Sequence, residues 1–239
     1  MRKKTSLAVA VLMICSMAGA QEVNLADILS NHYKATGLGN LRKVNTITMT
    51  GTIIQQDAMP VKIIKMRPDK YLMEFDVQDI TGFQGYDGHT AWSTAPWSGN
   101  PKPQVMPDDR AGELRSRGDF DGLLYNWKEK GHSVEFVGID TVEKTPAFKL
   151  KITKKEGGIE FYYLDATKFT ILKRKYSRMM RGQEVAVENY FHEYRMVQGV
   201  LFAFTQVTYF GGQLYNTLQF DTIQLNNPVD TNSFRMPVR

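Results

Sequence analysis

Thr46-Ile47-Thr48-Met49-Thr50-Gly51-Thr52-Ile53 is the stretch that decides the fold. Threonine takes every even position, while Ile47, Met49 and Ile53 take odd ones. A period of two in β-branched and apolar residues is the mark of a strand with one apolar face. Downstream, 60–67, 70–77, 80–86 and 90–94 read as further strands. Their connections are short, and Asp87-Gly88 is a tight-hairpin signal. Loops of that length cannot hold a parallel crossover, so neighbouring strands must run antiparallel.

Upstream the period is helical. Asn24 is placed to cap a helix, Asp27 favours its positive end, and Leu25, Ile28, Leu29 and His32 share one face. Gly37 or Gly39 ends it, and 38–44 adds a short second turn. Thr94 to Pro107, with four prolines, reads as a loop. Pro107, Asp108 and Asp109 then open a helix that closes with Arg115, Arg117 and Gly118. A further helix is expected over 120–130, with Leu123, Leu124 and Trp127 on one face. From Ser133 to Leu225 alternation returns, with turns at Gly157-Gly158, Arg181-Gly182 and Gly211-Gly212.

The fold class that follows is mainly β with a few helices. About 11 or 12 strands are too many for a flat open sheet. The expected form is a strongly curved antiparallel sheet, an incomplete β-barrel, with helices to cover its concave side. Met49, Ile53, Met73, Phe75, Phe161 and Phe191 lie on the more apolar alternation of their strands and are expected to face the concave side. A concave face rich in Met and aromatic residues suits either a solid core or an adaptable apolar cavity.

The first residues bear on location. Arg2, Lys3 and Lys4 precede an apolar run from Leu7 to Met17, and Ala18-Gly19-Ala20 offers small residues for cleavage. Residues 1–20 therefore read as a cleaved secretory signal and 21–239 as one domain. The apolar run is shorter than the roughly 20 residues a spanning helix needs. The single cysteine, Cys15, lies within it, so a chain starting at Gln21 would have no thiol chemistry. A lipid-modified Cys15 is the competing reading, which bulky Ile14 fits poorly. Three of the 30 Lys and Arg residues belong to the signal, so the mature chain would carry 27 against 25 Asp and Glu, an excess of two. No basic stripe for nucleic acid emerges.

No catalytic constellation emerges either. His32, His89, His132 and His192 are far apart and form no metal-binding pattern. Asp108/Asp109 and Asp119/Asp121 stand at expected helix starts, where capping explains them. A phosphate-binding glycine loop and Gly-x-Ser-x-Gly are absent, and no cofactor is called for.

Lys65-Met66-Arg67-Pro68-Asp69-Lys70-Tyr71, then Tyr86-Asp87-Gly88-His89-Thr90-Ala91-Trp92 and Ala95-Pro96-Trp97, resemble the LolA-like periplasmic lipoprotein-sorting family. His89 replaces the family's usual lysine. Phe234-Arg235-Met236-Pro237 resembles its closing segment. The resemblance implies a half-barrel lined with apolar side chains and helices that open as a lid. It further implies a soluble periplasmic carrier for lipoprotein acyl chains or other lipid cargo. Such a carrier takes its cargo from an inner-membrane donor and passes it to an outer-membrane acceptor. It also implies a role for Arg67, the arginine before proline, which would bond backbone carbonyls of the lid and hold the empty cavity closed. The alternative is an envelope sensor or protein-interaction module of the same fold. An enzyme acting on lipid or glycan ranks last.

Overall fold

The computed structural model describes residues 23–180 and 182–237. The stretch expected to be a secretory signal, with Cys15, and Arg181 lie outside the described residues. The chain opens with α1 (Leu25–Thr36) and the short α2 (Leu38–Leu41). Asn24 caps α1 by accepting from the Asp27 amide at 3.0 Å, and Gly37 ends it. Six strands follow: β1 (Thr46–Ile54), β2 (Ala58–Met66), β3 (Lys70–Val77), β4 (Ile80–Tyr86), β5 (Ala91–Ala95) and β6 (Asn100–Val105). After α3 (Asp108–Gly118) come β7 (Ser133–Val142), β8 (Thr145–Thr153), β9 (Ile159–Asp165), β10 (Ile171–Met180), β11 (Gln183–Val197), β12 (Val200–Phe210) and β13 (Gln213–Leu225).

All thirteen strands form one sheet in the order β6-β5-β4-β3-β2-β1-β13-β12-β11-β10-β9-β8-β7. Every pairing is antiparallel, and each half is a meander. The halves meet where β1 pairs with β13, a junction that closes only after β13 has been made. The two edges, β6 and β7, remain unpaired with each other, so the sheet is open and not a barrel.

Two expectations need correction. The proline-rich stretch read as a loop contains β6, which pairs with β5 through Trp92–Val105 and Ser93–Gln104. Prolines cannot donate to a ladder, and an edge strand needs donors on one side only. The helix expected over 120–130 is instead a run of turns. Gly122 (φ 69°) and Asn126 (φ 48°) take left-handed conformations that interrupt a helical ladder. Its apolar positions are nonetheless used: Leu124 is buried, and Leu123 and Trp127 pack beside it.

The curvature can be derived from one helix. Arg115 of α3 donates to the Tyr86 hydroxyl on β4 at 3.2 Å, while Glu113 pairs with Arg178 on β10 at 3.1 Å. β4 and β10 are seven strands apart. In a flat sheet that is about 34 Å, whereas a helix with its side chains is about 10–12 Å across. The sheet must therefore curl until both strands flank α3. The helix-covered face is the concave one.

Two apolar clusters line that face. One joins Ile47, Met49, Val61, Ile63, Tyr71, Met73, Phe204 and Ile223 to Leu114 of α3 and Phe120. The other joins Phe148, Leu150, Ile152, Tyr162 and Leu164 to Ile28 and Leu29 of α1 and to Leu124. On the outer face Trp92, Leu72 and Phe234 form a third cluster, and the Trp92 indole donates to the Phe234 carbonyl at 2.8 Å. Gly85 is what makes room, since a Cβ there would lie 2.4 Å from the Trp92 ring. Trp92 and Phe234, which carried the resemblance, are thus structural partners. No helix among the described residues is long and apolar enough to cross a membrane.

Candidate functional site: the covered concave face

The face is built strand by strand from the period of two. Met49 pairs across to Ile223 and to Ile63, and Ile63 to Met73. Met49 and Met73 are buried in the first cluster, and Ile53 and Phe75 pack against it half-buried. Phe75 also meets the Trp97 ring edge-on, with centroids 5.4 Å apart. Four of the six residues expected on the concave side are thereby brought together.

The remaining two are not in this cluster. Phe191 pairs with Gln206, which shares the face of Phe204, and is half-buried there. Phe161 faces the other way, into an outer cluster with Val142, Ala147, Tyr163 and Tyr190. That is a correction to its expected direction. Its neighbours Glu160 and Tyr162, which look like the polar alternation, are the buried residues pointing inwards. Glu160 is made tolerable there by Arg174 at 2.9 Å and Lys154 at 3.2 Å. Reading polarity as outwardness fails where buried ions are paired.

The cover is held at its rim. Arg67, at the end of β2, donates from Nε to the Val44 carbonyl at 2.8 Å and from Nη2 to the Leu41 carbonyl at 3.1 Å. Its other face meets Asp121 in a two-pronged ion pair at 2.9 and 3.1 Å, and its guanidinium lies over the Phe120 ring at 4.8 Å. Arg67 thus ties the α2–β1 connection to the segment following α3. The carbonyls belong to the former, and the link to the latter runs through a carboxylate. In sequence Asp121 looks like a capping residue, but its pairing with Arg67 spans 54 residues, beyond any local signal.

Further ties lie along α3. Arg117 pairs with Glu113 at 2.7 Å and lies against Tyr71 of β3. Desolvation opposes the Arg117 charge, though only in part since 44% of the side chain stays exposed, and Tyr71 and Glu113 outweigh it and push the pKa up. Gly118 approaches the β2–β3 turn so closely that a Cβ would stand 1.8 Å from the Asp69 carbonyl.

The histidines sit on separate elements. His32 is buried with Nδ1 2.7 Å from the Phe169 carbonyl, and burial lowers its pKa. His132 Nδ1 accepts from the Lys155 amide at 3.0 Å, and His192 lies 3.8 Å from Glu143. Among the described residues no group of three or more His, Cys, Asp or Glu is placed to hold a metal. Two surface hollows lie away from the concave face, one on the outer face around Glu188, Tyr190 and His192, the other beside α1 around Tyr33 and Lys34.

No family model matches the chain, and no curated protein matches it in sequence. Solved structures do. A DUF1329 family protein from Desulfovibrio piger superposes with a TM-score of 0.61 at 10% identity, covering 87% of this chain and 97% of that one. A LolA superfamily protein from Nitrosomonas europaea gives 0.58 at 8% identity, over 89% and 98% of the two chains. A domain assigned as an outer membrane lipoprotein-sorting protein, from Vibrio parahaemolyticus, gives 0.55 at 13% identity, over 85% and 97%. At such identities the likeness is one of architecture, and it extends over nearly the whole described chain: this chain has the LolA-like fold.

Proposed function

We propose that this chain is an exported carrier whose concave face holds lipoprotein acyl chains or other apolar lipid cargo. In this reading residues 1–20 are removed, 21–239 act as one soluble periplasmic domain, and cargo passes from an inner-membrane donor to an outer-membrane acceptor. The observation that carries the reading is an apolar concave face under a cover tied at its rim by the hydrogen bonds and ion pair of Arg67. Each methylene kept from water contributes about 0.8 kcal/mol, so a lipid chain has reason to replace Leu114, Phe120 and their neighbours. The chemistry needed is reversible displacement, and no bond need be made or broken.

Arg67 is the tie to test. Hydrogen bonds to charged groups contribute roughly 1.5–3 kcal/mol each, and cargo must compete with closure. Arg67→Leu should therefore bind a fluorescent fatty acid more tightly, by about tenfold, and release it more slowly to acceptor vesicles. Arg67→Leu combined with Asp121→Asn should behave alike, without stranding an unpaired carboxylate. Equal affinity and release in wild type and both variants would sink the latch. Lipid in mass spectra of protein taken from its native envelope supports a carrier; a stable protein partner with no lipid supports the sensor alternative.

A further inference from the structure

Between the two apolar clusters, the middle of the concave face is polar. Arg174, Tyr176 and Arg178 project inwards from β10, sharing the face of Tyr162 on β9 and Asn189 on β11. Facing them from β2 is Lys65, on the same face as Ile63, and from α3 Arg117. The carboxylates near this centre are already engaged. Glu160 takes Arg174 and Lys154, Glu113 takes Arg117 and Arg178, and Asp119 takes Lys130 at 2.6 Å.

Three carboxylates are thus shared by five cations, and Lys65 is a sixth. Among the described residues no carboxylate lies within ion-pair distance of its ammonium, and no hydrogen bond engages it. The local excess is three positive charges. Burial, and then repulsion from Arg117, bring the Lys65 pKa down to about 8; Asp119 opposes this, and Arg174 adds a smaller repulsion. The Lys65 side chain is half-buried, so solvent still reaches it in part. Cations grouped under a cover without matching carboxylates disfavour the empty state and favour an incoming anion.

We propose that Lys65, Arg117 and Arg174 bind the phosphate head group of an anionic lipid, whose chains lie along the flanking apolar clusters. The proposal rests on the carrier reading and adds a head-group preference to it. A phosphate matches the local excess better than a single carboxylate, because it offers several acceptor oxygens and up to two charges to fork-shaped guanidinium donors. The apolar surface on both sides favours an amphiphile over the free ion.

The test is calorimetric titration of wild type, Lys65→Met and Lys65→Arg with three probes. These are dihexanoyl phosphatidic acid, dihexanoylglycerol with the same chains but no phosphate, and inorganic phosphate. Wild type is expected to prefer the phosphatidic acid over the diacylglycerol by about tenfold or more. In Lys65→Met the ratio should fall to near one, and Lys65→Arg should keep it. Inorganic phosphate should bind far more weakly than the phosphatidic acid. Equal affinity for the two lipids in wild type, or a preference that survives in Lys65→Met, overturns the head-group site and leaves the carrier reading standing. Inorganic phosphate binding as tightly as the phosphatidic acid overturns the lipid source. Failure to bind either amphiphile overturns the carrier reading itself.

Discussion

Lys65 is the residue at which stability and binding pull apart. Its pKa is about 8 in the folded chain against 10.5 for a free side chain. Below pH 8 both states hold the proton, and the folded state bears the full penalty of a crowded cation. Between pH 8 and 10.5 the unfolded chain holds a proton that the folded chain has lost, so stability rises with pH across that window. The penalty is at most about 3.4 kcal/mol, and water reaching the partly exposed side chain reduces it. Lys65→Met should therefore unfold at higher urea than wild type at pH 7, with the advantage shrinking towards zero by pH 10.5. A difference constant across that range would mean that Lys65 is not the titrating group. Nothing local announces this residue, because Lys62 and Lys65 look alike in sequence, and only the curl brings Arg117 and Arg174 to one of them. Phe161 teaches the complementary lesson. Its apolar alternation was legible, but the side it faces was decided by the ion pairs of Glu160, which lie beyond its own strand.

Among the elements, α3 carries the account. Its limits were legible from Pro107, the acidic start, the basic last turn and Gly118. The following segment was not, since Leu123, Leu124 and Trp127 keep a helical spacing that Gly122 and Asn126 break with left-handed backbones. β6 was hidden for a related reason: its prolines argue against a strand, yet an edge accepts them. Gly118 gives the element a direct probe. A methyl there must push the end of α3 off the Asp69 carbonyl, a displacement of backbone against backbone with no flexible side chain to yield. Gly118→Ala should destabilise the domain by about 1–3 kcal/mol. Hydrogen exchange should quicken across 108–118 and stay slow in β1 and β13. Unchanged exchange in α3 would show that its last turn is not what holds the cover down.

At the scale of the molecule, one open antiparallel sheet curls around its own helices, and its long-range closure depends on the β1–β13 pairing. Antiparallel order, strong curvature and a covered concave side were all legible, because short turns and strand number impose them. The two-part interior was not. Apolar clusters at either end and ions between them arise from strands far apart in sequence, brought face to face by curvature. The cover works only if α3 moves away from at least one wall. The salt bridge from Glu113 to Arg178 joins α3 to the wall seven strands away from β4 and marks where to lock it. The most direct measurement uses Glu113→Cys with Arg178→Cys in the chain from Gln21 onward, which has no other cysteine, joined by a bismaleimide whose spacer contains a disulfide. Locked protein should lose affinity for a fluorescent fatty acid by about tenfold or more, and reducing the spacer should restore it. Locked protein that binds the probe as tightly as reduced protein would contradict a concave binding site opened by α3.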